Sequence, residues 1–218
     1  MDLSVEHVTK EIGAQVVLDD VSLRLKGGRV YGLRGKNGSG KTMLLRALCG
    51  LIVPTDGRVV MDGEILGEDG RSFPKSVGTL IEEPGVIRNY SGMRFLREVA
   101  SIKGIATERG IAAMMLRLGL DPLSRKPIKG YSLGMRQKIG IICALMEHPD
   151  LILLDEPFNG LDEISVNAVI EMIREERERG ALVVIASHDI EELTSLADVV
   201  YTVRSGRVAL WEAGDGAQ

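Results

Sequence analysis

The sequence predicts an α/β fold with a mainly parallel central sheet, an N-terminal antiparallel β subdomain and an inserted helical subdomain. Three observations predict it. Two short apolar runs, Leu151 to Leu154 and Ala181 to Ala186, each end in polar residues and each precede a helical pattern, as buried strands of parallel βαβ units do. The first third of the chain alternates apolar and polar residues, the period of half-buried antiparallel strands. The middle changes to a helical period.

Taken in order, VSLRL (21–25) alternates, and RVYGL runs directly into a glycine-rich loop with Val30 to Leu33 as a buried strand. GRVVMDGEIL places Asp62-Gly63 where a tight hairpin turn belongs. Phe95, Leu96, Val99 and Ile102 then fall at helical spacing, as do Ile111, Met114, Met115 and Leu118, with Gly104 and Asp121-Pro122 as breaks. The methionine pair reads as packing. Further on, Val166, Val169, Ile170 and Ile173 form one helix face that Gly180 ends. The opposite face, REERER, reads as solvated, with Arg174/Glu178 and Glu175/Arg179 at pairing distance. The expected division is one domain, 1–218, with 1–83 and 148–218 as core and 84–147 as the helical subdomain; the tail AGDGAQ should fray.

Composition excludes several classes. A net charge of −4 gives no surface-wide field for nucleic acid, so any anion must be bound locally. No apolar run approaches the roughly 20 residues that cross a bilayer, and the N-terminus MDLSVEHVTK is not a leader sequence. Cys49 and Cys143 each lie in an apolar helical pattern, which suits core packing in a reducing compartment better than a disulfide or zinc site.

The first chemical motif follows the strand at Val30 to Leu33. GKNGSGKT, comprising Gly35, Lys36, Asn37, Gly38, Ser39, Gly40, Lys41 and Thr42, leads into the helical pattern MLLRALCG. Glycines let the backbone curl so that successive N–H groups point at phosphate oxygens, and the helix N-terminus adds partial positive charge. Lys41 would reach the β and γ phosphates and the Thr42 hydroxyl would ligate Mg²⁺. This loop, strand and helix make the predicted fold that of a P-loop NTPase.

Where the apolar run Leu151 to Leu154 stops stand Asp155 and Glu156. An acid at a strand end beside a phosphate loop can hold Mg²⁺ through water, because that hard cation keeps much of its hydration shell, and Asp155 takes that role. Glu156 could orient or deprotonate an attacking water. The next apolar run ends at Ser187 and His188, placing a donor on the same sheet edge, where it would serve the γ phosphate.

A further stretch, YSLGMRQK (131–138), puts serine and glycine before the apolar run IGIICALM. The serine either starts a helix or holds a ligand at its positive end. The ordered set of phosphate loop, helical lobe, YSLGM, LILLDEP, NGLD and ASHD, from about Leu3 to Trp211, resembles the nucleotide-binding subunit of an ABC (ATP-binding cassette) transporter. That resemblance implies two cassettes closing head to tail on two ATP molecules, so Ser132 and Gly134 would contact the partner's γ phosphate. Asp162 in NGLD would lie at the dimer junction, Glu156 would be the catalytic base and His188 the switch histidine. Glu82 falls where the family usually places a glutamine, and it can still ligate Mg²⁺ or its water.

The sequence departs from the family pattern at Leu133 and Met135, at Glu82, which when ionised only accepts hydrogen bonds, and at Ile12. Ile12 stands where many relatives stack an aromatic on adenine, and its aliphatic side chain implies looser base discrimination. The EEPG loop and the YSLGM segment resemble those of exporters of bacitracin-like or lantibiotic peptides. The expected protein is therefore an ATPase subunit using ATP and Mg²⁺, pairing with itself or a similar subunit. It would dock through Pro84 to Arg97 on a separate transmembrane partner at the inner membrane face. A soluble cassette ATPase with a non-membrane partner is the alternative. A P-loop kinase is disfavoured because YSLGMRQK would have no task in it.

Overall fold

A computed structural model describes residues 1–67, 73–82 and 85–212. The AGDGAQ tail and Pro84, the first residue of the expected docking segment, lie outside the described residues. Strands β1 (Asp2–Ile12) and β2 (Gln15–Lys26) form a long hairpin, followed by β3 (Arg29–Arg34) and helix α1 (Lys41–Leu48). β4 (Asp56–Met61) returns antiparallel to β1 and turns into β5 (Glu64–Ile65). That turn is the expected Asp62-Gly63 hairpin, with φ of 48° and 88°, the pair of positive values that matches the strand twist. After β6 (Val77–Leu80) come α2 (Gly92–Lys103), α3 (Glu108–Arg117) and α4 (Leu133–Leu145). The chain then alternates through β7 (Leu151–Asp155), α5 (Glu163–Arg179), β8 (Leu182–Ser187), α6 (Ile190–Leu196), β9 (Val199–Arg204) and β10 (Arg207–Leu210).

Two sheets result. The first is antiparallel, ordered β2-β1-β4-β5; the second is ordered β10-β9-β3-β8-β7-β6, parallel from β9 to β6 with β10 antiparallel at the edge. Alternation along the central strands decides which layer each side chain joins. Val30, Ile152, Leu154, Val183 and Ile185 face a core shared with α2 to α6. Tyr31, Leu33, Leu153 and Val184 face the opposite core, shared with α1 and the antiparallel sheet. The second sheet is covered on both faces, which is why β7 and β8 read as continuous apolar runs.

The inserted helices carry the signals expected of them, with one correction. Ser91 caps α2 by accepting from the Arg94 N–H, and Gly104 ends it in the left-handed conformation. Its buried face is Phe95, Leu96 and Ala100, whereas Ile102 is 80% exposed, one residue off the stripe. Met115 is buried and Met114 packs beside it, as core residues. Cys49 is buried and Cys143 half-buried, and burial raises the pKa of both thiols.

The charged face of α5 also differs from expectation. Arg174 pairs with Glu171 at 2.6 Å, and Glu175 takes a two-point contact at 2.7 and 2.8 Å from Arg117 of α3. Glu176 is buried, bound by His148 at 2.5 Å and Arg179 at 2.9 Å. A bidentate guanidinium from another helix outcompetes the exposed i,i+4 pairs that spacing suggests. Among the described residues no helix is long and apolar enough to cross a membrane.

Candidate functional site

Parallel register builds the site. Leu33 and Asp155 both stand beside Ala186, so the loop after β3, the acids ending β7 and the turn after β8 open on one sheet edge. Gly40, the cap residue of α1, has φ of 112°, and a Cβ there would lie 2.8 Å from the Val17 carbonyl oxygen; only glycine fits. The buried Lys41 Nζ donates to the Gly35 carbonyl at 2.7 Å, reaches the Lys36 carbonyl at 3.5 Å, and lies 3.5 Å from Glu156 Oε1. The Thr42 hydroxyl donates to Asp155 Oδ2 at 2.6 Å.

A cavity of about 560 Å³ lies over this loop, bounded by Gln15, Val16 and Val17, the phosphate loop, Asp155 and Glu156. Ser39 Oγ is buried with no hydrogen-bond partner among the described residues. An unpaired hydroxyl, a buried lysine and a curled backbone suit a polyphosphate, and the oxygens of Thr42 and Asp155 suit a hard divalent cation. Ile12 is 53% exposed at the hairpin end and does not line the cavity; Val16 and Val17 do.

Burial raises the pKa of Asp155, with the nearby Glu156 and Glu82 charges adding to the rise and the Thr42 hydroxyl and Lys41 opposing it. Glu156 has φ of 46°, held there because its N–H donates to the Ala186 carbonyl at 2.8 Å while its own carbonyl accepts from Gln137 Nε2 at 3.0 Å. Its Oε2 lies 2.9 Å from His188 Nδ1. Glu82, with φ of 62°, pairs with Arg46 Nη2 at 2.8 Å. Among the described residues no three acidic, histidine or cysteine side chains are placed to share one cation.

At the other end of the site Ser132 is the N-cap of α4, its Oγ accepting from the Met135 N–H at 3.2 Å, and it is exposed. Gly134 lets α4 approach the turn before α5: a Cβ there would sit 2.3 Å from the Gly160 carbonyl oxygen. Asp162 caps α5, accepting from the Ser165 N–H at 2.9 Å, a bond that lowers its pKa. A second cavity, about 670 Å³, lies between Leu133, Arg136 and Gln137 on α4 and Glu82, Asp155 and Glu156.

A sequence profile described as ABC transporter matches residues 18–159. The chain belongs to the ABC transporter family. It is 43% identical over 206 residues to the uncharacterized ABC transporter ATP-binding protein YybJ of Bacillus subtilis, covering 94% of each chain. It is 32% identical over 216 residues to the lantibiotic transport ATP-binding protein SrtF of Streptococcus pyogenes, covering 99% of this chain and 93% of that one. Its fold matches that of the ATP-binding cassette MJ0796, solved as a dimer in a post-hydrolysis state with ADP and Pi. There the TM-score is 0.84 at 20% identity, over 96% of this chain and 98% of the other.

Within this ABC chain, the structure brings Lys41, Thr42, Asp155, Glu156 and His188 into direct contact. It places Ser132 and Gly134 at the start of α4, on either side of the Leu133 that edges the cavity of about 670 Å³, and Asp162 at the start of α5. Two residues escaped sequence reading. Gln137 is buried and ties the signature helix to the Glu156 backbone, and Arg46 holds Glu82. A glutamine at the rim of an apolar helix face was the available signal for the first; nothing local marks the second.

Proposed function

We propose that this ABC protein is the ATP-binding and ATP-hydrolysing subunit of an exporter, acting as a pair that encloses two ATP molecules. It docks on a separate membrane-spanning partner at the inner membrane face. The observation that carries this reading is the position of Ser132. Its hydroxyl caps α4 at an exposed tip and lines neither cavity, so it is open to a phosphate brought from outside this chain. A second copy placed head to tail supplies one, with the α4 N-terminus behind it.

In the mechanism, Lys41 exchanges the Gly35 carbonyl for the β and γ phosphates, and the unpaired Ser39 hydroxyl donates to a phosphate oxygen. Thr42, Asp155 and Glu82 would hold Mg²⁺, which when bound neutralises charge on the β and γ phosphates. Glu156 accepts the proton of the attacking water while His188 steadies its carboxylate and donates toward the γ phosphate. Asp162, beside the signature helix through Lys138 at 3.5 Å, relays closure between the two sites. Residues 85–97, which join the Glu82 loop to the helical lobe, form the described part of the docking surface, because a change at the γ phosphate reaches them first.

The test is the Glu156→Gln variant with MgATP. Turnover should fall by about 10²- to 10⁴-fold, the usual contribution of a general base, and a nucleotide-dependent dimer should accumulate in light scattering. A variant that stays monomeric at high protein and nucleotide concentration overturns the paired mechanism. Recovery in the membrane fraction only on co-expression with the transmembrane partner tests the docking, and a soluble fraction under both conditions overturns it.

A further inference from the structure

Glu82 stands at a point where two demands meet. It lines the cavity that also holds Asp155 and Glu156, and its charge is felt at Asp155. Yet its carboxylate turns to Arg46, in the last turn of α1, at 2.8 Å. α1 is the helix that begins with Lys41 and Thr42, so the ion pair ties the far end of the phosphate-loop helix to the segment entering the helical lobe.

The simplest alternative is that Arg46 serves only its helix, since a cation in the last turn complements the macrodipole. Arg46 does make local contacts, with Nη1 at 3.9 Å from Met43 Sδ. Its Nη2, however, reaches a residue 36 positions away, and Glu82 adopts a left-handed φ of 62° in the pair. A glutamine at this position would form no ion pair with Arg46; the acid creates it. Side-chain exposures of 32% for Arg46 and 60% for Glu82 keep the pair in water, where it is weak and readily exchanged.

We infer that Arg46 is a positioning residue that holds the Glu82 carboxylate away from the cation position until nucleotide and metal arrive. This rests on the reading of Glu82 as a cation-facing residue. Three carboxylates, Glu82, Asp155 and Glu156, border one cavity, yet among the described residues no three such groups are arranged around a single point. Arg46 accounts for that arrangement, since it draws one of the three aside. When metal nucleotide is bound, Glu82 would be one of the residues that hold the cation, and its pair with Arg46 would have to open. Arg46 thereby sets how strongly a divalent cation assists nucleotide binding.

The test is equilibrium binding of a fluorescent ATP analogue to the full chain, with excess Mg²⁺ and separately with EDTA. It compares the parent with the Arg46→Met, Glu82→Gln and Arg46→Met/Glu82→Gln variants. Arg46→Met should raise the ratio of Mg²⁺-dependent to metal-free affinity by roughly two- to fivefold, the worth of an exposed ion pair. The double variant should show the same ratio as Glu82→Gln alone. Equal loss of affinity in both conditions would mean that Arg46 serves only the phosphate-loop helix, and it overturns the inference. So does an Arg46→Met effect that persists undiminished in the Glu82→Gln background. Arg46→Lys, which keeps the charge, should lie between parent and Arg46→Met, and its melting temperature checks that the helix is intact. If the parent binds no nucleotide in either condition, the ATPase reading itself fails; normal parental binding with an unchanged ratio in Arg46→Met refutes only the role of Arg46.

Discussion

The two ends of the site are built differently. At the phosphate loop the groups satisfy one another: Lys41 is buried on the Gly35 carbonyl and beside Glu156, Thr42 is bound to Asp155, and His188 is bound to Glu156. At the signature face, Ser132 and Asp162 cap the ends of their own helices and are exposed to solvent, with Asp162 also 3.5 Å from Lys138 Nζ. Apart from the unpaired Ser39 hydroxyl, the first region is a network that a ligand must enter by exchange. The second is a pair of capped helix ends that adds a contact without giving any up. Under the proposed paired mechanism, a site split this way assembles only when two copies meet, which would make closure depend on nucleotide.

The largest effect is expected from substitution at Ser132. Aspartate caps helices as well as serine does, so Ser132→Asp should leave the melting temperature unchanged while placing negative charge against the phosphate of a facing copy. In a Glu156→Gln background the expected result is complete loss of MgATP-dependent dimer by light scattering. Ser132→Ala removes the cap at a cost of about 1 kcal/mol and should weaken the dimer less. Equal dimerisation by the aspartate variant would erase the distinction between the two regions.

Gly134→Ala should act on stability. The added Cβ would lie 2.3 Å from the Gly160 carbonyl oxygen, forcing α4 away from the turn that leads to Asp162. Overpacking of this kind costs about 1–3 kcal/mol, to be read as a lower urea midpoint, while nucleotide binding at the phosphate loop, whose cavity Gly134 does not line, should persist.

A smaller effect is expected from Glu192 on α6. Its pKa is raised from the ordinary 4.5 chiefly by burial, with Asp189 and Glu156 adding to the rise, and with the Ser187 hydroxyl, which donates at 2.8 Å, and His188 opposing it. The folded protein therefore holds this proton more tightly than the unfolded chain. The stabilisation is fully present below pH 4.5 and is lost as pH rises through the raised value. Glu192→Gln keeps an acceptor for Ser187 and removes the titration, so its stability relative to the parent should climb over that window in pH-dependent denaturation. A parallel pair of pH profiles would show that the residue titrates alike in both states.

The phosphate loop, the strand-end acids and His188 were legible because each sits where a local pattern stops, and the parallel fold converts strand ends into neighbours. The antiparallel β subdomain was legible by alternation, although β1, β6, β9 and β10 did not announce themselves individually. What escaped was set by partners far along the chain. Ile102 faces water because Ala100 takes the buried position, Glu175 answers to Arg117 across 58 residues, and Gln137 is aimed at a backbone carbonyl 19 residues on. Periodicity states which face is apolar; it does not state which polar side chain will find a match on another element.

The hold of Lys41 on the Gly35 carbonyl has one more consequence. An incoming triphosphate does more than fill the cavity over the loop; it must also draw the loop's own ammonium from a carbonyl it already grips. Measured affinity is then the gap between two competing embraces, and substitutions that loosen the first should tighten the second without ever touching the nucleotide.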